Sequence, residues 1–264
     1  MVRLLSAQDR YDPIDRARVV YSIVCRSVGD VEERKYYRFR GGLWYGGIAT
    51  ADCVGCNLLC RFCWGWRTRD RFDKVGSFYS PQVVAEKLIS IARRYGYRRV
   101  RISGGEPTIS RKHLIQVLQC LNERVPDLLF ILETNGVLIG ADPSYARELA
   151  QFKNIHVRVS LKGCCPEEFE LLTGARKEFF EYQLRALKYL LDAGVPCHPA
   201  VMISFSTRES MEYLISKLME IDERLVSEVE EEYVILYPHV LEIMKRYGLK
   251  PRVAIRPNGT VVKS

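Results

Sequence analysis

Cys53-Val-Gly-Cys56-Asn-Leu-Leu-Cys60-Arg-Phe-Cys63-Trp64 is the stretch on which the reading of this chain turns. It gathers four of the nine cysteines of a 264-residue chain onto one short segment. A disulfide framework would spread its cysteines through a small secreted domain, whereas thiols crowded on one loop point to metal. Three thiolates spaced C-x3-C-x2-C can each take one iron of a [4Fe–4S] cube and leave the fourth iron open to a small chelating ligand. Counting Cys53 as well, the loop holds two C-x2-C pairs, which also suit tetrahedral zinc or a closed, purely electron-carrying cluster. Cys53 is then a bystander, a redox-active thiol or an alternative ligand, and the bystander reading is preferred.

Outward from the loop, strand and helix patterns alternate. The apolar run Ile48 to Ala51 leads into the cysteines. Pro81 to Tyr95 has apolar residues at helical spacing, with Ser80 as N-cap and Pro81 in the first turn. Arg99 to Ser103 alternates with period two and stops at Gly104-Gly105. The pattern then predicts helix 111–124, strand 128–133, helix 144–152, strand 155–161, helix 178–193, strand 195–203, helix 208–225, strand 233–237 and helix 240–247. Such alternation means βαβ units and a parallel sheet. About six units fit between residues 46 and 250, and a closed eight-unit barrel needs about 250 residues for itself. The expected fold is therefore α/β, a partial, open (β/α)6 barrel over residues 45–264. Residues 1–44 form an N-terminal extension with candidate strands Val19–Cys25 and Lys35–Phe39. Ligands of such sheets sit beyond the carboxyl ends of the strands.

At Cys56, Cys60 and Cys63, with Phe62 as the aromatic residue before the last thiol, the loop resembles the C-x3-C-x-aromatic-C signature of the radical S-adenosylmethionine (SAM) superfamily. Ser103-Gly104-Gly105-Glu106-Pro107 is similar to that family's GGEP segment. The resemblance implies that Gly104, Gly105 and Glu106 meet the methionine amino group of SAM, with Glu106 pairing to the ammonium. Glu133-Thr134-Asn135-Gly136 and Ser160-Leu161-Lys162 are similar to the D-T-N-G and D-L-K segments of the pyruvate formate-lyase activating enzyme group, and the chain as a whole resembles an archaeal-type Fe–S oxidoreductase. Glu133 and Ser160 each replace an aspartate. Lys162 would meet the SAM carboxylate, and Ser160 the ribose or carboxylate. The implied activity is reductive cleavage of SAM at a [4Fe–4S] cluster to a 5′-deoxyadenosyl radical, which takes a hydrogen atom from substrate. A ferredoxin- or flavodoxin-like one-electron reductant is implied as partner.

The sequence leaves the substrate open. An activase-like action on a protein follows from the Glu133 and Ser160 segments. An RNA- or nucleotide-modifying role follows from the Arg61, Phe62, Trp64, Trp66, Arg67, Arg69, Arg71 stretch, which resembles that of the radical SAM enzymes that build wybutosine on transfer RNA. A non-enzymatic zinc or electron-transfer protein is the third reading. His198 could contact substrate or SAM from its strand, or serve the structure, and Cys197 lies on the opposite face of that strand by period two; Cys164 and Cys165 read as buried structural thiols, with a redox or ligand role as the alternative. A second basic run, Arg93, Arg94, Arg98, Arg99 and Arg101, reads as a solvated rim at the end of the sheet away from the cysteines. The net charge of +8 favours anionic partners. No segment has the roughly 18–20 apolar residues of a membrane span, and the start of the chain lacks a signal-peptide pattern, so a cytoplasmic location is expected.

Overall fold

A computed structural model describes residues 10–263. The chain runs α1 (Pro13–Val24), β1 (Cys25–Val28), β2 (Val31–Gly42), β3 (Ile48–Cys53), α2 (Trp66–Asp70), β4 (Ser77–Tyr79), α3 (Pro81–Tyr95), β5 (Arg99–Gly104) and α4 (Arg111–Arg124). It continues through β6 (Leu129–Thr134), α5 (Val137–Ala141), α6 (Pro143–Leu149), β7 (Ile155–Leu161), α7 (Pro166–Thr173), α8 (Phe180–Asp192), β8 (Cys197–Met202), α9 (Arg208–Ile221), α10 (Arg224–Ser227), β9 (Glu230–Glu232) and α11 (Pro238–Arg246). A two-stranded ribbon, β10 (Val253–Ile255) and β11 (Val261–Lys263), completes the described chain.

One sheet carries the order β1-β2-β3-β5-β6-β7-β8-β9, with β4 paired to β2. From β3 to β9 every neighbouring pair is parallel, whereas β1, β2 and β4 are joined antiparallel. β1 and β9 do not meet, so the barrel stays open. Each parallel strand presents one set of alternate residues to the helices. Ala49 and Ala51, Val100 and Ile102, Phe130 and Leu132, and Val157, Val159 and Leu161 share one core with Val84, Leu88, Leu114, Leu149 and Leu187. The other set is polar: Thr50 and Asp52, Arg101 and Ser103, Glu133, Arg158 and Ser160, Glu230 and Glu232. Parallel strands buried on both faces read as continuous apolar runs. A charged inner face marks this half-barrel as a cleft.

Three expected elements differ. Val19 to Val24 is helical, not extended, because Asp12 caps α1 by accepting from the amides of Ile14 and Asp15, and because Ala17, Val20 and Val24 fall on one buried stripe. The last strand of the large sheet is Glu230–Glu232 rather than 233–237. Three successive glutamates look like a loop, yet Glu230 and Glu232 pair across the inner face with Arg158, which only the sheet supplies. The expected helix over 208–225 stops at Ile221, with Asp222 as its C-cap.

Segment 31–42 is locked to the core through His113 on α4, which is 1% exposed. Its Nδ1 donates to the Glu32 carbonyl at 2.6 Å, and its Nε2 accepts from the Tyr36 hydroxyl at 3.0 Å. Burial pushes the ring's pKa down to about 4. The unfolded chain, with an imidazole near 6.5, therefore takes up the proton first. The stabilisation is complete above pH 6.5 and is lost as the pH falls towards 4. Urea unfolding should give about 2 kcal/mol less stability at pH 5 than at pH 7. His113→Gln should remove most of that slope.

Candidate metal and cofactor site

The cysteine loop leaves the end of β3 and is tied down by main-chain bonds. The Cys53 carbonyl accepts from Gly105 N at 2.8 Å and the Gly55 carbonyl from Glu106 N at 2.8 Å. Tyr11 Oη accepts from Leu59 N at 2.7 Å, and Arg69 Nη1 donates to the Cys60 carbonyl at 2.8 Å. Arg34, 1% exposed, donates through Nη2 to the carbonyls of Val54 at 2.8 Å and Glu106 at 3.1 Å. It thereby clips the loop to the turn after β5. Neither Tyr11 nor Arg34 carries a sequence signal for this role, since each partner lies dozens of residues away.

Cys56, Cys60 and Cys63 lie together. Burial pushes the Cys56 thiol well above its ordinary range, and the charges of Glu106, Cys60 and Cys63 add to the effect. Cys60 is pushed up to about 11 by burial, with the Lys162 ammonium pulling the other way. Thiols held in their neutral form by burial, as Cys56 and Cys60 are, are what a metal centre's positive charge turns into thiolates. Among the described residues no three His, Cys, Asp or Glu side chains converge closely enough for one metal ion. The thiols of a cube each take a different iron and need no common point. Buried beside Cys56, Asn57 has its Nδ2 without a partner, a donor left open at the cysteine loop. Residues and chemistry thus fit a cluster on these three thiols. Cys53 is set apart: it is 1% exposed, belongs to the helix-side core, and has Arg34 as its charged neighbour. Phe62 packs against Phe205 with ring centroids 5.6 Å apart.

The strand ends β5, β6 and β7 close around the loop. Gly104 has φ +91°, and a Cβ on Gly105 would stand 2.1 Å from the Gly55 carbonyl oxygen, so both positions demand glycine. Glu106 follows these glycines. Its carboxylate, 2% exposed, accepts from Thr108 N and Oγ1, from Thr134 Oγ1 at 2.6 Å and from Asn135 N at 2.8 Å, so it welds the ends of β5 and β6 together. Asn135 Nδ2 in turn donates to Asn57 Oδ1 at 2.7 Å. Gln183 of α8 donates to the carbonyls of Asn135 and Ser160 and accepts from Lys162 N at 3.1 Å. Gln183 is a polar residue on the apolar stripe of α8 and is fully buried.

The remaining expected residues lie on the inner face. Glu133 accepts from Arg101 Nη1 at 2.5 Å, Ser103 Oγ at 2.7 Å and Tyr45 Oη at 3.1 Å. This places Arg101 inside the barrel, 6% exposed, and not on a solvated rim. Arg158 forks onto Glu230 and Glu232 at 2.8 Å each, and its hydrogen bonding holds the Glu230 carboxyl down at about 2. Ser160 donates to Glu232 at 2.8 Å, and Lys162 Nζ donates to the Ser160 hydroxyl. His198 sits lower, level with Arg158, between His156 Nε2 at 2.6 Å and Glu230 at 3.1 Å. Its place near the start of β8 removes it from the cysteine end, because side chains four residues down a strand lie about 13 Å away.

Comparison with known proteins agrees with this geometry. Residues 52–218 match the family model of the radical SAM superfamily. A probable GTP 3′,8-cyclase of Methanococcus vannielii is 32% identical over 124 residues, covering 47% of this chain and 38% of the relative. Another, from Methanosarcina mazei, is 31% identical over 151 residues, covering 56% and 42%. The chain thus spans about two fifths of the length of these curated relatives. Among solved structures, Streptococcus suis SuiB bound to S-adenosylmethionine superposes with a TM-score of 0.51 at 19% identity, covering 79% of this chain and 57% of that one. Native anSMEcpe with bound AdoMet and Cp18Cys peptide gives 0.51 at 21%, covering 70% and 49%. Both share the fold. The family match begins at the end of β3, takes in the cysteine loop and the ends of β5, β6 and β7, and runs into α9, so the chain belongs to the radical SAM superfamily, whose members work with a [4Fe–4S] cluster and SAM.

Proposed function

We propose that this chain is a cytoplasmic radical SAM enzyme. Cys56, Cys60 and Cys63 would each hold one iron of the cluster. Gly104 and Gly105, the Asn57–Asn135 pair and Lys162 would receive SAM. When bound, the cluster and SAM supply a radical that takes a hydrogen atom from substrate, and a ferredoxin- or flavodoxin-like protein supplies the electron. The observation that carries this reading is the backbone seam between Cys53–Gly55 and Gly105–Glu106, which ties the loop bearing Cys56, Cys60 and Cys63 to the glycine turn, with the Lys162 ammonium acting on Cys60. The chain's own contributions are placement and dryness: Gln183 and Glu106 hold three strand ends in one arrangement, and Lys162 brings a cation beside Cys60.

For the substrate, the reading favoured is a nucleotide. The relatives are named probable GTP 3′,8-cyclase, and the inner face offers Arg38 and Arg40 against a single buried Asp52, where an anionic group would find cations in excess. Residues 45–264 would be the catalytic core and residues 1–44 an addition to it.

The test is electron paramagnetic resonance of anaerobically reconstituted, dithionite-reduced protein, with and without SAM. A reduced-cluster signal that SAM alters, with release of 5′-deoxyadenosine, supports the reading. A signal indifferent to SAM removes it. For the substrate, a nucleoside triphosphate should raise 5′-deoxyadenosine release above the basal level.

A further inference from the structure

Two runs of the chain hold no acidic residue, 34–51 and 87–105, and both are rich in arginine. The antiparallel β2–β3 and parallel β3–β5 pairings bring them together at the end of the sheet opposite the cysteine loop. There the turn between β2 and β3 presents Leu43, 87% exposed, and Trp44, 63% exposed, the two most exposed large apolar side chains among the described residues. This tip is anchored. Tyr45 adopts φ +55°, a left-handed conformation costly for a residue with a Cβ. It is held there by its hydroxyl on Glu133 at 3.1 Å and by Arg99 Nη1 on its carbonyl at 2.8 Å.

Beside the tip, Tyr95 and Tyr97 stack with centroids 5.4 Å apart, and the Arg94 guanidinium lies 5.5 Å above the Tyr95 ring. A Cβ on Gly47 would stand 2.5 Å from the Tyr97 ring, so the tyrosines rest directly on the glycine-rich turn. Arg93, Arg94 and Arg98 are exposed, and among the described residues none of the three forms an ion pair. The nearby acids are Glu86, engaged with Arg124, and Asp127 on the next loop.

We propose that this face binds single-stranded RNA, the arginines meeting phosphates and the rings of Trp44 and Tyr95 stacking on bases. Rigidly mounted, exposed rings beside unpaired guanidiniums suit a polymer that offers both charge and flat faces, and unpaired RNA is the cellular polymer with bases free to stack. An acidic protein would answer the charge and leave the rings without a role. The inference does not depend on the reading of the cysteine site.

The experiment is fluorescence anisotropy with a labelled oligouridine of about twelve nucleotides, titrated with the full reconstituted chain over a range of salt. Saturable binding is expected. Trp44→Ala and Tyr95→Ala should each weaken it about tenfold. Joint replacement of Arg93, Arg94 and Arg98 by glutamine should flatten the salt dependence by about 2 in logarithmic slope. Iron content and the SAM response of the cluster, read in the same samples, should not change. Absence of binding overturns the proposal, as does binding that survives all these changes. So does tighter binding of oligothymidine DNA. Competition by polyglutamate equal to that of RNA, with Trp44→Ala silent, would assign the face to an acidic protein instead.

Discussion

Cys60→Ala is expected to leave a folded protein without its cluster, and Cys56→Ala and Cys63→Ala should behave alike, whereas Cys53→Ala should keep the cluster. The spacing of four cysteines permits several ligand sets, but the structure separates them. Cys56 and Cys60 are electrostatically coupled to each other and to Cys63. Cys53 lies on the helix side of β3, 1% exposed and beside Arg34. Losing one thiolate exposes a second iron, so iron loading and SAM cleavage should fall by more than about 100-fold, beyond the 10–100-fold usual for losing an outer-shell partner. Cys53→Ala removes a buried sulfur and should cost about 1 kcal/mol of stability with iron per chain unchanged. Iron analysis and the visible absorption of the reconstituted variants decide the matter. An absorption spectrum lost in Cys53→Ala would mean a four-thiolate centre.

Gly105→Ala should be the most damaging single-methyl change in the chain's strand-end turns. The new Cβ would lie 2.1 Å from the Gly55 carbonyl oxygen and 3.0 Å from that of Cys53. Both atoms are backbone, and both stretches are pinned: Gly105 N and Glu106 N donate across the seam, and Arg34 clips Val54 to Glu106. Neither side can rotate away, so the loop that carries the thiols must shift. Overpacking of this kind costs about 3 kcal/mol, and the displaced loop should lose most of its iron. Gly96→Ala is the control. Gly96 has φ +69° and open space around the added Cβ, so it should cost about 1 kcal/mol in backbone strain alone and leave iron loading intact. Denaturant unfolding and iron per chain separate the two effects.

Much of the molecule was readable in its sequence where the signal is local. α3 begins after the Ser80 cap and ends at Gly96, and α4 and β7 run between the residues that period and punctuation indicate. Local rules misled where two of them competed. The β-branched Val19 to Val24 read as a strand, yet a cap and a buried stripe made it helical. A strand was expected at 233–237, yet the pairing of Arg158 with Glu230 and Glu232 put it at Glu230–Glu232. Roles were harder than elements. Glu106, Glu133 and Phe62 fall in motif positions, but the motifs do not record the protein partners they take, which are Thr134 and Asn135, Arg101, and Phe205.

By itself the sequence determined the alternation of strands and helices, the three thiols and their spacing, and the glycine pair after β5. All of these are written in covalent order and short-range periodicity, which persist whatever the rest of the chain does. Only the tertiary structure decided which cysteine stands apart, what Glu106 holds, that Arg101 lies inside the barrel, and that Arg34, Asn57 and Gln183 fasten the site. Those outcomes depend on contacts between residues far apart in sequence. Buried polar groups must find partners wherever packing brings them, and no local pattern records which partner that will be.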